Sequence, residues 1–163
     1  MAERAKITIV PPAEEHIAAV REIAVAAWQP IFDSYRKMLG DEIFQAQFSN
    51  WKQLKADGCE RNMREDHAFV ALLNGEVVGF ICYIDAPDGK TGVISNNAVR
   101  PELRGNGIAP QLYEHVLNEM RKAGLTYARV QTGLDEAHAP ARRAYEKAGF
   151  HCGTPSITYF QKL

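Results

Sequence analysis

Long hydrophobic runs and paired cysteines are both scarce in this sequence of 163 residues. The longest apolar stretch covers residues 77–84, whereas a membrane-spanning helix needs about 20 such residues. Glu14 and Glu15 lie where a secretion signal would need an apolar segment. The three cysteines form no Cys-x-x-Cys pair, which favours a reducing compartment. We therefore expect a cytoplasmic protein that does not contact a membrane.

Neither sign of charge is in excess, because 19 lysines and arginines are balanced by 20 aspartates and glutamates, for a net charge of −1. Proteins that hold a nucleic-acid backbone present a strongly basic surface, so we expect no nucleic-acid partner. A hydrophobic share of 46% and a charged share of 24% are typical of a soluble folded chain. The length fits one domain over residues 1–163.

Apolar residues recur at helical spacing through the first third of the chain. They lie three and four positions apart over residues 12–28, which predicts an amphipathic helix. A second helical segment is predicted after Pro30, with an interruption at Gly40 and an end at Gly58. We therefore expect helices, but no strand, from residue 13 to about residue 66.

The rest of the sequence predicts alternating strands and helices. Asn74 and Gly75 separate two apolar runs and are typical of a two-residue hairpin turn. The predicted elements are strands at 67–73, 76–84 and 91–99, a helix ending near 123, a strand at 127–134, a helix at 140–148 and a strand at 157–163. The strand-helix-strand unit over 91–134 should be a parallel crossover. The prediction is an α/β fold with a mixed, mostly antiparallel sheet flanked by helices, two N-terminal helices and a central β-α-β unit.

One loop joins the third of these strands directly to the following helix. It consists of Arg104, Gly105, Asn106, Gly107, Ile108 and Ala109. The N–H groups at a helix start have no partner within the helix and favour anions. The glycines let a ligand approach the backbone closely. The loop therefore predicts an anion site in which backbone donors dominate.

The loop resembles (Gln/Arg)-x-x-Gly-x-(Gly/Ala), the pyrophosphate loop of the GNAT superfamily of acyl-CoA-dependent N-acyltransferases. Val99 and Pro101 resemble the strand-to-loop junction of that family. The segment 138–150 reads His-Ala-Pro-Ala-Arg-Arg-Ala-Tyr-Glu-Lys-Ala-Gly-Phe and resembles its second cofactor segment, Asn-x-x-Ala-x-x-x-Tyr followed by Glu-Lys-x-Gly-Phe. Two motifs in the right order favour a GNAT-like domain over a dinucleotide fold or a P-loop, whose glycine spacing is missing.

This resemblance implies that acetyl-CoA is bound as co-substrate and that no metal takes part. The carbonyl oxygen of the acetyl group would meet a backbone N–H near Ala98 or Val99. Ala141 and Tyr145 belong to the implied cofactor contacts. His138 stands where the family has asparagine, so an imidazole would have to make the contact toward the pantetheine arm.

An amine acceptor must lose a proton, because an alkyl ammonium has a pKa of about 10.4. The strand at 91–99 carries no acidic residue, which excludes a carboxylate base on that strand. The family resemblance leaves two routes. One is a water chain held by Ser95 and Asn96 or Asn97, which we favour, and the other is a base from elsewhere, such as His67, Asp85, Asp135 or Glu136.

On the leaving side, a thiolate with a pKa of about 8.5 can take a proton from a phenol in contact with it. Tyr145 is therefore the predicted general acid. Cys59, Cys82 and Cys152 have no histidine at motif spacing, so we expect direct transfer without an acyl-enzyme.

The acceptor remains open at this stage, as a primary amine of a small molecule or a peptide. Helically spaced aromatic residues favour core packing over substrate contact; they are Trp28, Phe32, Tyr35, Phe44 and Trp51. Arg142 and Arg143 favour a solvated helix face over a phosphate contact. The alternatives are a non-catalytic acyl-CoA sensor and a transferase of longer acyl groups, and a homodimer is compatible with such a domain.

Overall fold

The structure is a computed structural model that describes residues 6–163. Its strands are β1 (Thr8–Val10), β2 (His67–Leu73), β3 (Glu76–Asp85), β4 (Thr91–Val99) and β5 (Tyr127–Val130). Its helices are α1 (Ile17–Phe48), α2 (Trp51–Glu65), α3 (Ile108–Lys122) and α4 (Ala139–Lys147). Short 3-10 turns cover Glu14–His16, Pro101–Leu103 and Glu136–His138.

The strands form one open sheet in the order β1-β2-β3-β4-β5. Neighbours are antiparallel except β4 and β5, which pair in parallel from Thr91 opposite Tyr127 to Ile94 opposite Val130. Helix α3 connects these two strands, so the predicted mixed sheet with a central β-α-β unit is confirmed. The hairpin of β2 and β3 is confirmed too, with Asn74 and Gly75 at φ 52° and 85°, the positive angles that such a turn requires.

The two faces of the sheet are covered by different helices. Helices α1 and α2 pack on one face, where the fully buried side chains include Val20, Cys59, Phe80 and Cys82. Helices α3 and α4 cover the other face, where Ile81, Leu112, Val116 and Tyr145 are buried. β3 supplies both layers because successive strand residues point to opposite faces. The candidate site lies on the second face.

The helical N-terminal part is confirmed, but two predicted boundaries are wrong. Helix α1 continues through Pro30, and its break lies at Gly40, where φ is 75° and ψ is 164°. Helix α2 continues through Gly58 to Glu65. In both cases packing outweighs local propensity: Phe32 just after the proline stacks on Trp51 at 4.2 Å between ring centroids, and Cys59 beside the glycine is fully buried.

The strands differ from the sequence prediction in three places. β1 was not predicted, and it pairs antiparallel with β2. β5 stops at Val130 instead of residue 134. The predicted strand at 157–163 does not form. The Phe160 ring centroid instead lies 6.2 Å from that of Phe48 in α1, and Lys162 pairs with Glu42. These contacts hold the C-terminal segment against α1 and away from the sheet edge.

No helix within residues 6–163 is long and apolar enough to cross a membrane. Over the same residues, no group of three or more histidine, cysteine, aspartate or glutamate side chains is arranged to hold a metal ion.

Candidate active site

Strands β4 and β5 separate at the C-terminal half of β4. Their last paired residues are Ile94 and Val130, whereas β4 continues to Val99. Residues 95–99 therefore have no strand partner on the β5 side among residues 6–163. This leaves the edge of β4 open at the point where Ala98 and Val99 lead into the glycine loop. Backbone N–H groups of residues 95–99 that point away from β3 therefore have no strand acceptor among the described residues.

A β-bulge in β4 divides the neighbouring side chains between the two faces of the sheet. Ile94 lies opposite Tyr83 and Asn97 opposite Ile81, so Ser95 and Asn96 together face the single residue Cys82. Asn97 points toward α3 and α4. Asn96 points toward α2, where it contacts Asn62 at 2.6 Å and Lys55 at 3.3 Å. The structure brings Asn97 to Tyr145 and leaves Asn96 on the opposite face.

Tyr145 lies at the centre of a hydrogen-bonded group on the α3 and α4 side. Asn97 Nδ2 donates to the Tyr145 hydroxyl at 3.0 Å, and the Tyr113 hydroxyl donates to Asn97 Oδ1 at 2.8 Å. The two tyrosine rings pack edge to face at 5.4 Å. Because Tyr145 accepts the bond from Asn97, its own hydroxyl hydrogen is left for another acceptor.

The environment keeps both phenols protonated. Tyr145 is 8% exposed, and burial raises its pKa, although the hydrogen bond from Asn97 and the contact with the Tyr113 hydroxyl offset part of that rise. Burial also raises the pKa of Tyr113, and the neighbouring Tyr145 adds to the effect. A phenol in this state is a proton donor at neutral pH and not a base.

The loop between β4 and α3 has the backbone shape that the sequence predicts. Arg104 is extended, while Gly105 and Gly107 have φ values of 86° and 75°. Gly107 is the N-cap residue of α3 and has no side chain to cap the first turn. Asn106 Nδ2 donates to the Leu103 carbonyl, and Gln111 Nε2 donates to the Gly107 carbonyl. Side-chain amides thus satisfy loop carbonyls, and the first N–H groups of α3 are uncapped.

The side chains of this loop divide into exposed and buried ones. Arg104, Gly105 and Asn106 are exposed, and no ion pair within residues 6–163 engages Arg104. Ile108 is 2% exposed and anchors the first turn of α3 in the core. The contribution of Ile108 to a ligand is therefore limited to its backbone N–H. Ala109 is half-buried against the same core.

His138 ends a 3-10 turn and immediately precedes α4. Its Nδ1 pairs with Asp135 Oδ1 at 2.5 Å, and the other oxygen of Asp135 accepts a bond from Ser34 of α1 at 3.3 Å. The ring lies 6.1 Å from that of Tyr35. Sequence reasoning singled out His138 and Asp135 for separate roles and missed that they are partners, although their i, i+3 spacing is compatible with such a contact.

On the opposite face, Lys55 connects the aromatic residues to β4. Its ammonium lies 4.2 Å from the Trp28 ring centroid and donates to Asn96 Oδ1, and burial lowers its pKa. The aromatic residues pack mainly on one another, as in the stack of Phe32 on Trp51. Trp28, Phe32 and Tyr35 are half-buried, whereas Phe44 and Trp51 are buried.

The remaining candidates for a base lie elsewhere. His67 contacts Asp85 at 3.4 Å, and both side chains are about half exposed. Asp85 is paired with Gly92, five positions along β4 from Asn97. Glu136 is exposed. Ser95, the other member of the proposed water chain, contacts Cys82 and Asp66, and so lies on the α2 side with Asn96.

A family model and a curated relative both match this chain to acetyltransferases. The family model described as "Acetyltransferase (GNAT) family" matches residues 11–150. The uncharacterized N-acetyltransferase YsnE of Bacillus subtilis (strain 168) is 24% identical over 108 residues, which cover 66% of this chain and 72% of that protein.

Solved structures with the same fold include two N-acetyltransferases. The PaiA N-acetyltransferase of Thermoplasma acidophilum, in complex with coenzyme A, superposes with a TM-score of 0.69 at 17% identity, covering 93% of each chain. The ribosomal-protein-S18-alanine N-acetyltransferase of Escherichia coli superposes with a TM-score of 0.65 at 20% identity, covering 91% of this chain and 80% of that one.

Proposed function

This chain belongs to the GNAT family of acetyltransferases, and we propose that it transfers the acetyl group of acetyl-CoA directly to a primary amine. The acceptor is an amine of a small molecule or of a peptide. The observation that carries the proposal is the position of the Tyr145 and Asn97 pair at the open edge of β4. A short 3-10 turn connects this strand to the glycine loop, and the loop leads into α3, whose first turn has no side-chain cap.

The loop is proposed to bind the diphosphate of coenzyme A. The uncapped N–H groups at the start of α3 meet phosphate oxygens, and the positive end of the helix dipole favours the negative charge. Each hydrogen bond to a charged oxygen contributes about 1.5–3 kcal/mol, against about 0.3–1 kcal/mol from the dipole. Backbone donors of Gly105, Asn106, Gly107, Ile108 and Ala109 therefore dominate, and Arg104 adds a charge from outside.

The acetyl thioester is proposed to lie along residues 97–99, where β5 has ended. A backbone N–H near Ala98 or Val99 donates a hydrogen bond to the carbonyl oxygen and stabilises the negative charge that develops on it. The amine nitrogen forms a bond to the carbonyl carbon and gives up one proton to solvent, and the bond from carbon to sulfur then breaks. Tyr145 gives its proton to the departing thiolate and regains one from solvent, so coenzyme A leaves as the thiol.

A thiol-release assay tests this proposal. Acetyl-CoA is incubated with the protein and with spermidine, kanamycin, lysine or an alanine-terminated peptide, and free coenzyme A is measured over time. We expect release that depends on one or more of these amines. Binding of acetyl-CoA without release for every amine would instead indicate a sensor. Faster release from butyryl-CoA than from acetyl-CoA would indicate a transferase of longer acyl groups.

A reducing compartment is part of the proposal. Cys59 and Cys82 are buried thiols and lie on the same face of the sheet without a disulfide, while Cys152 is exposed. Three free cysteines are typical of cytoplasmic proteins.

A further inference from the structure

The pair formed by Asp135 and His138 has the geometry of an oriented base. Its side chains are 16% and 11% exposed, so most of the pair is removed from water. Nδ1 of the imidazole faces a carboxylate oxygen at 2.5 Å, and a carboxylate can only accept. The hydrogen of a neutral imidazole is therefore on Nδ1, which leaves the lone pair on Nε2.

The surrounding backbone is built around this pair. Arg142 donates to the carbonyls of Gly133 and Asp135 at 2.7 and 2.8 Å, which closes the loop that carries the carboxylate. A Cβ on Gly133 would fall 2.6 Å from Asp135 Oδ1 and closer still to His138 Nδ1. Only glycine leaves room at position 133 for both side chains.

The free nitrogen of His138 is accessible. Nε2 has no hydrogen-bond partner within residues 6–163. It is not one of the fully buried side-chain atoms without a partner in that range, so it retains some solvent exposure. The ring lies between α4, which carries Tyr145, and α1, which carries Ser34 and Tyr35. His138 thus lies where the second cofactor segment meets the N-terminal helices.

The separation between His138 and Tyr145, the proposed general acid, suits acetyl transfer. His138, the N-cap residue of α4, and Tyr145 are seven positions apart in the sequence, which corresponds to about 10 Å along the helix axis. An amine and a thioester in line, each in hydrogen-bond contact with one of the two residues, need roughly that length.

We propose that His138 is the general base of the acetyl transfer and that Asp135 is its positioning residue. This inference rests on the proposed function and replaces the water chain at Ser95 and Asn96 as the route for the amine proton. It gives His138 a role beyond the cofactor contact that the family resemblance implies for this position.

Both protons that the substrate nitrogen gives up pass through Nε2 of His138. Nε2 takes one proton from the substrate ammonium and passes it to solvent, and the neutral amine attacks the carbonyl carbon. The nitrogen loses its second proton to Nε2 as the bond from carbon to sulfur breaks, and Tyr145 protonates the thiolate. His138 then releases that second proton to solvent and Tyr145 regains one from solvent, which restores both side chains. The products are an amide, coenzyme A as thiol and one proton in solution.

The polar and charged groups around His138 come from the preceding turn and from two helices. Asp135 lies on the preceding turn, Ser34 and Tyr35 on α1, and Arg142 on α4, where it is bound to backbone carbonyls. Burial opposes the charge on Asp135, yet its hydrogen bond with His138 and the nearby imidazole bring the pKa of the carboxyl below its ordinary value. The carboxylate is therefore charged at neutral pH, where it can accept the hydrogen bond from Nδ1 of His138.

The test compares kcat/KM from pH 5.5 to 9 for wild type, His138→Asn, His138→Ala and Asp135→Asn, using the panel amine that wild type acetylates fastest. We expect His138→Asn to lose about a hundredfold or more, with coenzyme A affinity within about threefold of wild type by calorimetry. Added imidazole should restore activity to His138→Ala, but not to Tyr145→Phe. Asp135→Asn should lose at least tenfold in kcat, with the KM for the amine within about threefold of wild type, because an amide no longer fixes the hydrogen of the imidazole on Nδ1.

Gly133→Ala tests the geometry with both side chains present, and Gly58→Ala, which has open space at its Cβ, is its matched control. We expect Gly133→Ala alone to reduce kcat at least tenfold. A His138→Asn variant with wild-type rate and pH profile, or a loss confined to coenzyme A affinity, would overturn the inference and leave the proposed function intact. Absence of transfer by wild type to every panel amine would contradict the proposed function itself.

Discussion

Asn97 of β4 donates a hydrogen bond to the phenol oxygen of Tyr145 of α4 over 3.0 Å. The bond joins the open edge of the sheet to the helix that carries the proposed acid. Because Asn97 Oδ1 is held in turn by Tyr113, the amide cannot rotate freely, and the Tyr145 hydroxyl is fixed in position with its hydrogen available.

Tyr145→Phe removes the proposed acid and leaves the ring in the core. We expect kcat to fall at least tenfold, because the thiolate then departs without a proton, while the dissociation constant for coenzyme A stays within about twofold. Tyr113→Phe is the matched control, since it removes the other phenol of the group and should reduce kcat less. Equal losses in the two variants would mean that Tyr145 acts only by holding Asn97.

Gly105→Ala tests the diphosphate loop. Gly105 and Gly75 have φ values of 86° and 85°, and a Cβ added at either position would have no atom within 4 Å. Alanine at either site should cost about 1–2 kcal/mol of backbone strain, but only Gly105→Ala should weaken coenzyme A binding, by about tenfold or more. Calorimetric titration of both variants measures this, and equal affinities would show that the loop does not contact the ligand.

Much of the fold follows from local sequence signals. The Asn74 and Gly75 turn fixes the β2–β3 hairpin through backbone angles that the two residues favour. The end of α3 follows from Gly124, which has a φ of 82°. A signal for β1 was also available, since Ile7, Thr8, Ile9 and Val10 form a β-branched run.

What the sequence could not reveal depends on distant partners. Asn97 and Tyr145 are 48 positions apart, and only the bulge at Ser95 and Asn96 decides which asparagine faces α4. The segment 157–163 has strand composition, but a strand needs a paired edge, and Phe160 is instead packed on Phe48. Helix α1 passes Pro30 because packing on α2 outweighs the lost backbone hydrogen bond.

Gly58→Ala should stabilise the protein. Gly58 lies inside α2 and has no atom within 4 Å of an added Cβ and no positive φ, so alanine gains about 0.5–1 kcal/mol in the free energy of unfolding. Gly40→Ala is the control, because its surroundings are equally open but its φ is 75°. Urea denaturation should show opposite signs for the two variants, and a destabilised Gly58→Ala would contradict the described path of α2.

The three cysteines should differ in their reactivity toward thiol reagents. Burial raises the pKa of Cys59 to about 12 and that of Cys82 to about 11, from an ordinary value of 9.0. At pH 8 a thiol reagent should therefore modify only the exposed Cys152 in the native protein, and no thiol in Cys152→Ser. Above pH 9 the unfolded chain releases protons that the folded chain retains, so the free energy of unfolding should fall as pH rises. Rapid modification of two or more native thiols would contradict this assignment.

The most direct test of the central claim is a calorimetric titration with coenzyme A and with pantetheine, which lacks the diphosphate. We expect coenzyme A to bind with one-to-one stoichiometry and to raise the melting temperature, and pantetheine to bind at least tenfold more weakly. Absence of heat and of a thermal shift with coenzyme A, or equal affinity for the two compounds, would contradict a diphosphate site at the start of α3.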